Sequence, residues 1–256
     1  MTVLATAMAI AAGIHARSAL LAVAVLCGQV SVGWSNDAID APLDRQAARP
    51  DKPIAAGELS RRLVAACAVS ALAVDVPLSL ALGRRAGIAH LGAVALAWSY
   101  NLGLKRTVLS VLPYAVAFGL VPVVVASMLP GTPFPHVALV VAGAGCGAAA
   151  HFANTIGDAS DDALTGVRGL PQRIGPVAST VVSGGFVAVA VVAILVAAGP
   201  GPLTITAAAI DIAVAAALPL AIRFPRSRRL AFHSVIAAVA VLVLAFVVSG
   251  GSHLAR

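Results

Sequence analysis

The sequence predicts an all-α bundle that crosses a membrane about nine times around a central cavity. Composition is the first reason: of 256 residues, 60% are hydrophobic and 11% charged, whereas a soluble domain carries about 25% charge. Mean hydropathy of +0.99 says the same. The second reason is pattern. The apolar runs are continuous, without the alternation of a barrel strand, so a backbone in lipid must satisfy its hydrogen bonds within helices. The third is punctuation by turn residues and charge, which divides one domain, 1–256, into nine segments.

The opening stretch, MTVLATAMAIAAG, lacks the basic flank of a secretory signal and is shorter than the roughly 20 residues a span requires. It predicts a short helix over 1–14, or the end of one that begins upstream. An apolar run over 17–36 follows and stops at an acidic stretch. Segments 58–82 and 87–104 are separated by Gly83-Arg84-Arg85, and 108–130 ends at Pro130-Gly131-Thr132-Pro133. Segment 136–157 runs into a second acidic stretch. Segments 175–198 and 202–222 meet at Gly199-Pro200-Gly201-Pro202, and 231–250 completes the set.

Charge orients the bundle. If the connections after the second, fourth, sixth and eighth segments share a side, that side holds Arg45, Arg49, Lys52, Arg61, Arg62, Lys105, Arg106, Arg168, Arg173, Arg223, Arg226, Arg228 and Arg229. These are 13 of the 17 basic residues. Lys/Arg excess marks the cytoplasmic face, which predicts cytoplasmic acidic loops and an external C-terminus in a multi-pass protein of the cell membrane. The net charge of +7 is dispersed over short loops, so it reflects orientation and not a nucleic-acid partner. Cys27, Cys67 and Cys146 lie inside apolar runs and read as small buried hydrophobes.

Against this background two polar stretches stand out, SNDAIDAPLDRQAARPDKP from Ser35 and NTIGDASDDALTGVRGLPQRIG from Asn154. They hold, or border, eight of the ten acidic residues, which topology does not require. Both run amide, carboxylates, then basic residues with Pro and Gly, a weak internal repeat of a kind that places matched sites about a shared axis. Asp37, Asp40 and Asp44 fall at i, i+3 and i+7, one helix face, beside Asn36; Asp158 and Asp162 are i, i+4, with Asp161 adjacent. Like charges so close need a cation. Mg²⁺ suits them, because it takes a few carboxylates, keeps waters and completes its shell with phosphate oxygens. Nearby Arg and Lys would hold the phosphates. Pro42 disfavours helical geometry in the residue before it, so the helix is expected to stop near Asp40 and leave Asp44 on a turn.

N-D-x-x-D-x-x-x-D-R, the following K-P-x-x-x-G, the second D-x-x-x-D and nine helices together resemble the UbiA superfamily of intramembrane prenyltransferases, over nearly the whole chain. The resemblance implies an enzyme that ionises an isoprenyl diphosphate with Mg²⁺ and passes the prenyl group to an acceptor the sequence does not identify. Carried over by position, Asn36, Asp37, Asp40, Asp44, Asp158 and Asp162 would be metal ligands. Asp37, Asp40, Asp158, Asp162 and Lys105 would be catalytic. Arg45, Lys52, Arg106, Arg168 and Arg173 would contact the diphosphate. Lys52 stands where the family often has Arg, which keeps the charge without the bidentate geometry. "YNLGLKR" resembles the family's Tyr-x-x-x-Leu-Lys-Arg segment, with Tyr100 deeper than Lys105 and Arg106. In "RGLPQRIG" a Thr more often precedes the Leu-Pro.

The alternative class is a cation-coupled transporter, whose acids belong near the membrane midplane; these cluster at helix ends. The D-G-x-x-A-R signature of CDP-alcohol phosphotransferases is absent, and hydropathy excludes soluble prenyl synthases. Asp75 and Asp211, inside predicted spans, are candidates by position; a structural role is expected of Asp75, while Asp211 could face the cavity. His151 reads as a hydrogen-bonded interior histidine, and Gly143, Gly145 and Gly147 as small residues for close helix packing. Trp34, Trp98 and Tyr100 lie near helix ends, as interfacial anchors or cavity lining.

Overall fold

A computed structural model describes residues 1–256 except 48, 50, 51, 166, 223, 224 and 251–256, and except the side chains of 156–165, 221, 225–231 and 250. The described residues form nine α-helices: α1 (Thr2–Ala11), α2 (His15–Gln46), α3 (Arg61–Ala81), α4 (Arg84–Leu102), α5 (Leu112–Ala126), α6 (Val137–Thr165), α7 (Leu170–Ala198), α8 (Pro202–Ala221) and α9 (Pro225–Gly250), with a 3-10 turn at Leu104–Arg106. Six of them, α2, α3, α6, α7, α8 and α9, are long and apolar enough to span a bilayer. The other three are shorter or more polar: α1 has 10 residues, α5 has 15, and α4 opens on Arg84-Arg85.

Sequence neighbours pack side by side, and α9 returns to both α6 and α1, which closes the bundle. In lipid, close van der Waals packing replaces the hydrophobic drive, so small residues belong at helix contacts. On α6 they serve two partners. A Cβ on Gly143 would lie 2.5 Å from Phe118 O, and one on Gly147 2.3 Å from Tyr114 O, both on α5; one on Gly145 would lie 3.0 Å from Phe186 O on α7. Large aliphatics such as Leu63, Val69, Val181 and Val192 face outward, as a lipid-facing surface requires.

The helix ends differ from the sequence expectation where it matters most. α2 runs 32 residues, about 48 Å at 1.5 Å per residue, against a hydrocarbon core of about 30 Å. It passes through Pro42, so Asp44 is on the helix and not on a turn. Proline cannot donate to the carbonyl four residues back, here that of Ala38. Arg61, at the start of α3, donates its Nε to Ala38 O at 2.7 Å, so the vacated acceptor is satisfied from a neighbouring helix. α6 likewise continues past its expected end, through Thr165. Both acidic stretches therefore ride on helical extensions. α7 is broken near its start by Gly175, at φ +83° and followed by Pro176, so Leu170–Ile174 forms a separate turn angled away from the long span.

Candidate active site

A cavity of about 620 Å³ opens between α2, α4, α5 and α6. Along α2 it is lined from Val25 to Asp44, and its body is walled by residues such as Val32, Ala93, Ala97, Phe118 and Val121. Polar residues gather at one end: Asn36, Asp40, Asp44, Arg49 and Lys52 from α2 and its following loop, Asn101 and Lys105 from the end of α4 and beyond, and Asn154, Thr155 and Gln172 from α6 and α7. The ends of α2 and α4 and the second half of α6 thus meet on one side of the bundle.

Asp40 is the centre of this group. Lys105 Nζ lies 2.5 and 2.6 Å from its two oxygens, and Asn36 Nδ2 donates to Oδ2 at 2.9 Å. Lys105 is 6% exposed, held by the 3-10 turn against the segment before α7; a Cβ on Gly169 would lie 2.7 Å from Lys105 O. Ser110 Oγ fastens the same junction, accepting from Leu170 N at 3.0 Å and pairing with His151 Nε2 at 3.0 Å. Asp37, three residues before Asp40 on α2, accepts from Lys52 Nζ at 2.7 Å and does not itself line the cavity. Asp44 is buried and 3.9 Å from Arg49 Nη1.

The remaining expected diphosphate contacts are placed differently. Arg45 is exposed and directs Nη2 to Ile54 O at 3.4 Å, across the loop that carries Lys52. Arg106, Arg168 and Arg173 are exposed, each next in sequence to a lining residue: Lys105, Val167 and Gln172. Arg173 Nε donates to Arg168 O at 2.9 Å, which ties the two ends of the short turn. The side chains of Asp158, Asp161 and Asp162 lie outside the described residues; their backbone belongs to α6, one to two turns beyond Asn154, which lines the cavity. Arg223, Arg226, Arg228 and Arg229 also lie outside the described residues or side chains.

The donor set fits Mg²⁺. Carboxylates and an amide oxygen are hard ligands, and Mg²⁺ needs only one or two carboxylates when phosphate and water supply the rest. No cluster of three His, Cys, Asp or Glu forms among the described residues, so a site dedicated to a soft or protein-caged metal is not formed there. The apolar body suits a hydrocarbon chain.

Three residues that the sequence reading passed over belong to this region. Asn101 binds α2 through Val32 O and Ser35 Oγ. Tyr114 packs edge-on to Tyr100 with ring centroids 5.3 Å apart, and 4.8 Å from His151. His90 lines the cavity and pairs with Ser79 Oγ at 2.8 Å, which in turn donates to the fully buried Asp75 at 2.8 Å. Asp75 therefore has the structural partners expected of it. His151, 1% exposed, is interior as expected; Asp211, 1% exposed, does not line the cavity. Trp98 donates Nε1 to Ser31 Oγ at 3.0 Å, clasping α4 to α2, while Trp34 is exposed.

The model of the UbiA prenyltransferase family matches residues 1–232. Among solved structures, that of digeranylgeranylglyceryl phosphate synthase in membranes is similar with a TM-score of 0.72 at 17% identity, over 99% of this chain and 93% of that one. A UbiA homologue from Archaeoglobus fulgidus bound to GPP and Mg²⁺ gives 0.63 at 17% identity, over 97% of this chain and 95% of that one. The same homologue bound to DMAPP and Mg²⁺ gives 0.63 at 16%, over 97% and 94%. At these identities the likeness is one of fold. No curated protein matches the sequence.

Proposed function

The chain belongs to the UbiA prenyltransferase family, an intramembrane transferase of isoprenyl groups, and on that premise we propose that its two acidic motifs hold Mg²⁺ on the donor diphosphate. Asn36, Asp37, Asp40 and Asp44 supply one side and Asp158 and Asp162 the other, with Asp37, Asp40, Asp158, Asp162 and Lys105 the catalytic residues. The relatives bound to GPP or DMAPP with Mg²⁺ support an isoprenyl diphosphate as donor. The observation that carries the reading is Asp40, held by Lys105 and Asn36 where a charged mouth meets an apolar cavity.

Bound Mg²⁺ neutralises the diphosphate and makes it a better leaving group. The chain's own residues complete that task. Lys52 and Lys105, which pair with Asp37 and Asp40, would be free to turn to the phosphate oxygens if those carboxylates held the cation. They then oppose the charge that grows on the departing diphosphate, an interaction stronger in the transition state than before it. Arg106, Arg168 and Arg173 close on the outer oxygens, while Arg45 holds the loop bearing Lys52. The apolar walls take the tail and keep water from the allylic cation, until a small or lipophilic acceptor attacks it. The Lys/Arg excess supports a cytoplasmic position for the acidic motifs and an external C-terminus.

Diphosphate release by purified protein, with geranyl, farnesyl and geranylgeranyl diphosphates and a membrane extract as acceptor source, tests this directly. Release that requires Mg²⁺ and disappears in Asp40→Ala is expected. Undiminished release by folded Asp40→Ala would overturn the assignment.

A further inference from the structure

An amide side chain has two hydrogens at one end and an oxygen at the other, and its neighbours decide which end faces where. Asn101, 4% exposed near the end of α4, donates Nδ2 to Val32 O at 2.9 Å and to Ser35 Oγ at 2.8 Å. Ser35 directs its own hydrogen to Val32 O at 2.8 Å, so its oxygen is available to accept. A backbone carbonyl cannot donate, and the reversed Asn101 would set oxygen against oxygen. Its Oδ1 therefore faces Asn36 and accepts from Asn36 Nδ2 at 3.3 Å.

The other hydrogen of the same Nδ2 goes to Asp40 Oδ2 at 2.9 Å. A reversed Asn36 would press its oxygen against both Asn101 Oδ1 and the Asp40 carboxylate. With both hydrogens engaged, Asn36 Oδ1 is the end of the amide with no hydrogen-bond partner among the described residues, on a residue that lines the cavity.

We propose that Asn101 is a positioning residue: through this chain of hydrogen bonds it fixes the Asn36 amide with its oxygen toward the cavity, as a preset ligand for the divalent cation that accompanies the diphosphate. The proposal rests on the reading of Asn36 as a metal ligand. Asn101 touches neither cation nor substrate in this scheme. Without it, Asn36 loses one of the two acceptors that hold its NH₂ inward, and the amide can turn a pair of hydrogens toward the cation.

The test is Mn²⁺ binding, followed by loss of the free-ion EPR signal, in detergent-purified protein with geranyl thiolodiphosphate. Asn36→Ala, Asn101→Ala, the bulkier Asn101→Leu and the two double variants are compared, with melting temperatures measured alongside. Removal of an outer partner of a metal ligand typically weakens metal affinity about 10- to 100-fold, and a loss in that range is expected for either Asn101 variant. In the Asn36→Ala background the Asn101 substitutions should add nothing, because one residue acts through the other. An equal further loss there, or native affinity in folded Asn101 variants, overturns the proposal. Native affinity in Asn36→Ala overturns instead the metal reading beneath it. If neither Asn101 variant folds, Ser35→Ala, which removes one anchor of Asn101, should weaken Mn²⁺ binding in the same direction and only when Asn36 is present; an unchanged affinity there counts against the proposal.

Discussion

Lys105 and Asp40 show how a single pair can serve two states. Their contact at 2.5 Å, with Lys105 at 6% and Asp40 at 19% side-chain exposure, neutralises a carboxylate that would otherwise sit beside Asp44 and Asp37 uncompensated. On the proposed reaction, a cation held by Asp40 would release the lysine for the phosphate. Lys105→Met should therefore lower the melting temperature of the ligand-free protein, and added Mg²⁺ should recover more of it than in the native chain. Turnover should fall by about 10²- to 10³-fold, the usual loss when one donor to a developing oxyanion is removed. Thermal denaturation with and without Mg²⁺, beside diphosphate release, checks both halves. A Lys105→Met protein as stable as the native one would show that the pair is incidental to the resting state.

Helices α2 and α6 carry the motifs, and the extra turns of α2 are tied to a neighbouring helix. Arg61 is the clearest case. Arg61→Ala should expose the vacancy at Ala38 O and cost about 1–3 kcal/mol, the usual range for a buried acceptor left unmade. Pro42→Ala returns an N–H to that carbonyl, so the double variant should recover most of the loss in chemical denaturation; no recovery would mean that Arg61 acts elsewhere. At the α5–α6 contact, Gly147→Ala must displace Tyr114 O from 2.3 Å and should cost about 1–3 kcal/mol by overpacking. Gly185→Ala, with nothing within 4 Å of its new Cβ, is the neutral control. The first acidic face was legible in part, because carboxylate spacing on a helix is a local property: Asp40 and Asp44 line the cavity together, while Asp37 pairs with Lys52 outside it. The true end of α2 was not, because the pre-proline rule is also local and was overridden by an arginine 19 positions past Pro42. Asn101 was hidden for a related reason: an amide in YNLGLKR has no periodic signature, and its importance arises only where α4 crosses α2. The side chains expected to reach the diphosphate divide along the same line, since Lys105 is held by packing while Arg45 follows its own loop.

Across the whole molecule, the distribution of basic residues predicts an orientation that labelling can test. In a variant lacking Cys27, Cys67 and Cys146, a cysteine replacing exposed Glu58 on the motif side should react with an impermeant maleimide only after cells are opened. One replacing exposed Thr132, in the turn between α5 and α6, should react in intact cells. The reverse pattern would place the acidic motifs outside. Hydropathy made the all-helical bundle legible: the described residues form nine helices, six of which are long and apolar enough to cross a membrane. A cavity charged at its mouth and apolar through its body also has a thermodynamic consequence. On the proposed reaction, the two products would prefer opposite phases: the diphosphate would dissolve in water beyond the mouth, while a product carrying the prenyl chain would partition toward the bilayer. Their separation dilutes each with respect to the other, so the forward direction is favoured by mass action as well as by bond energies.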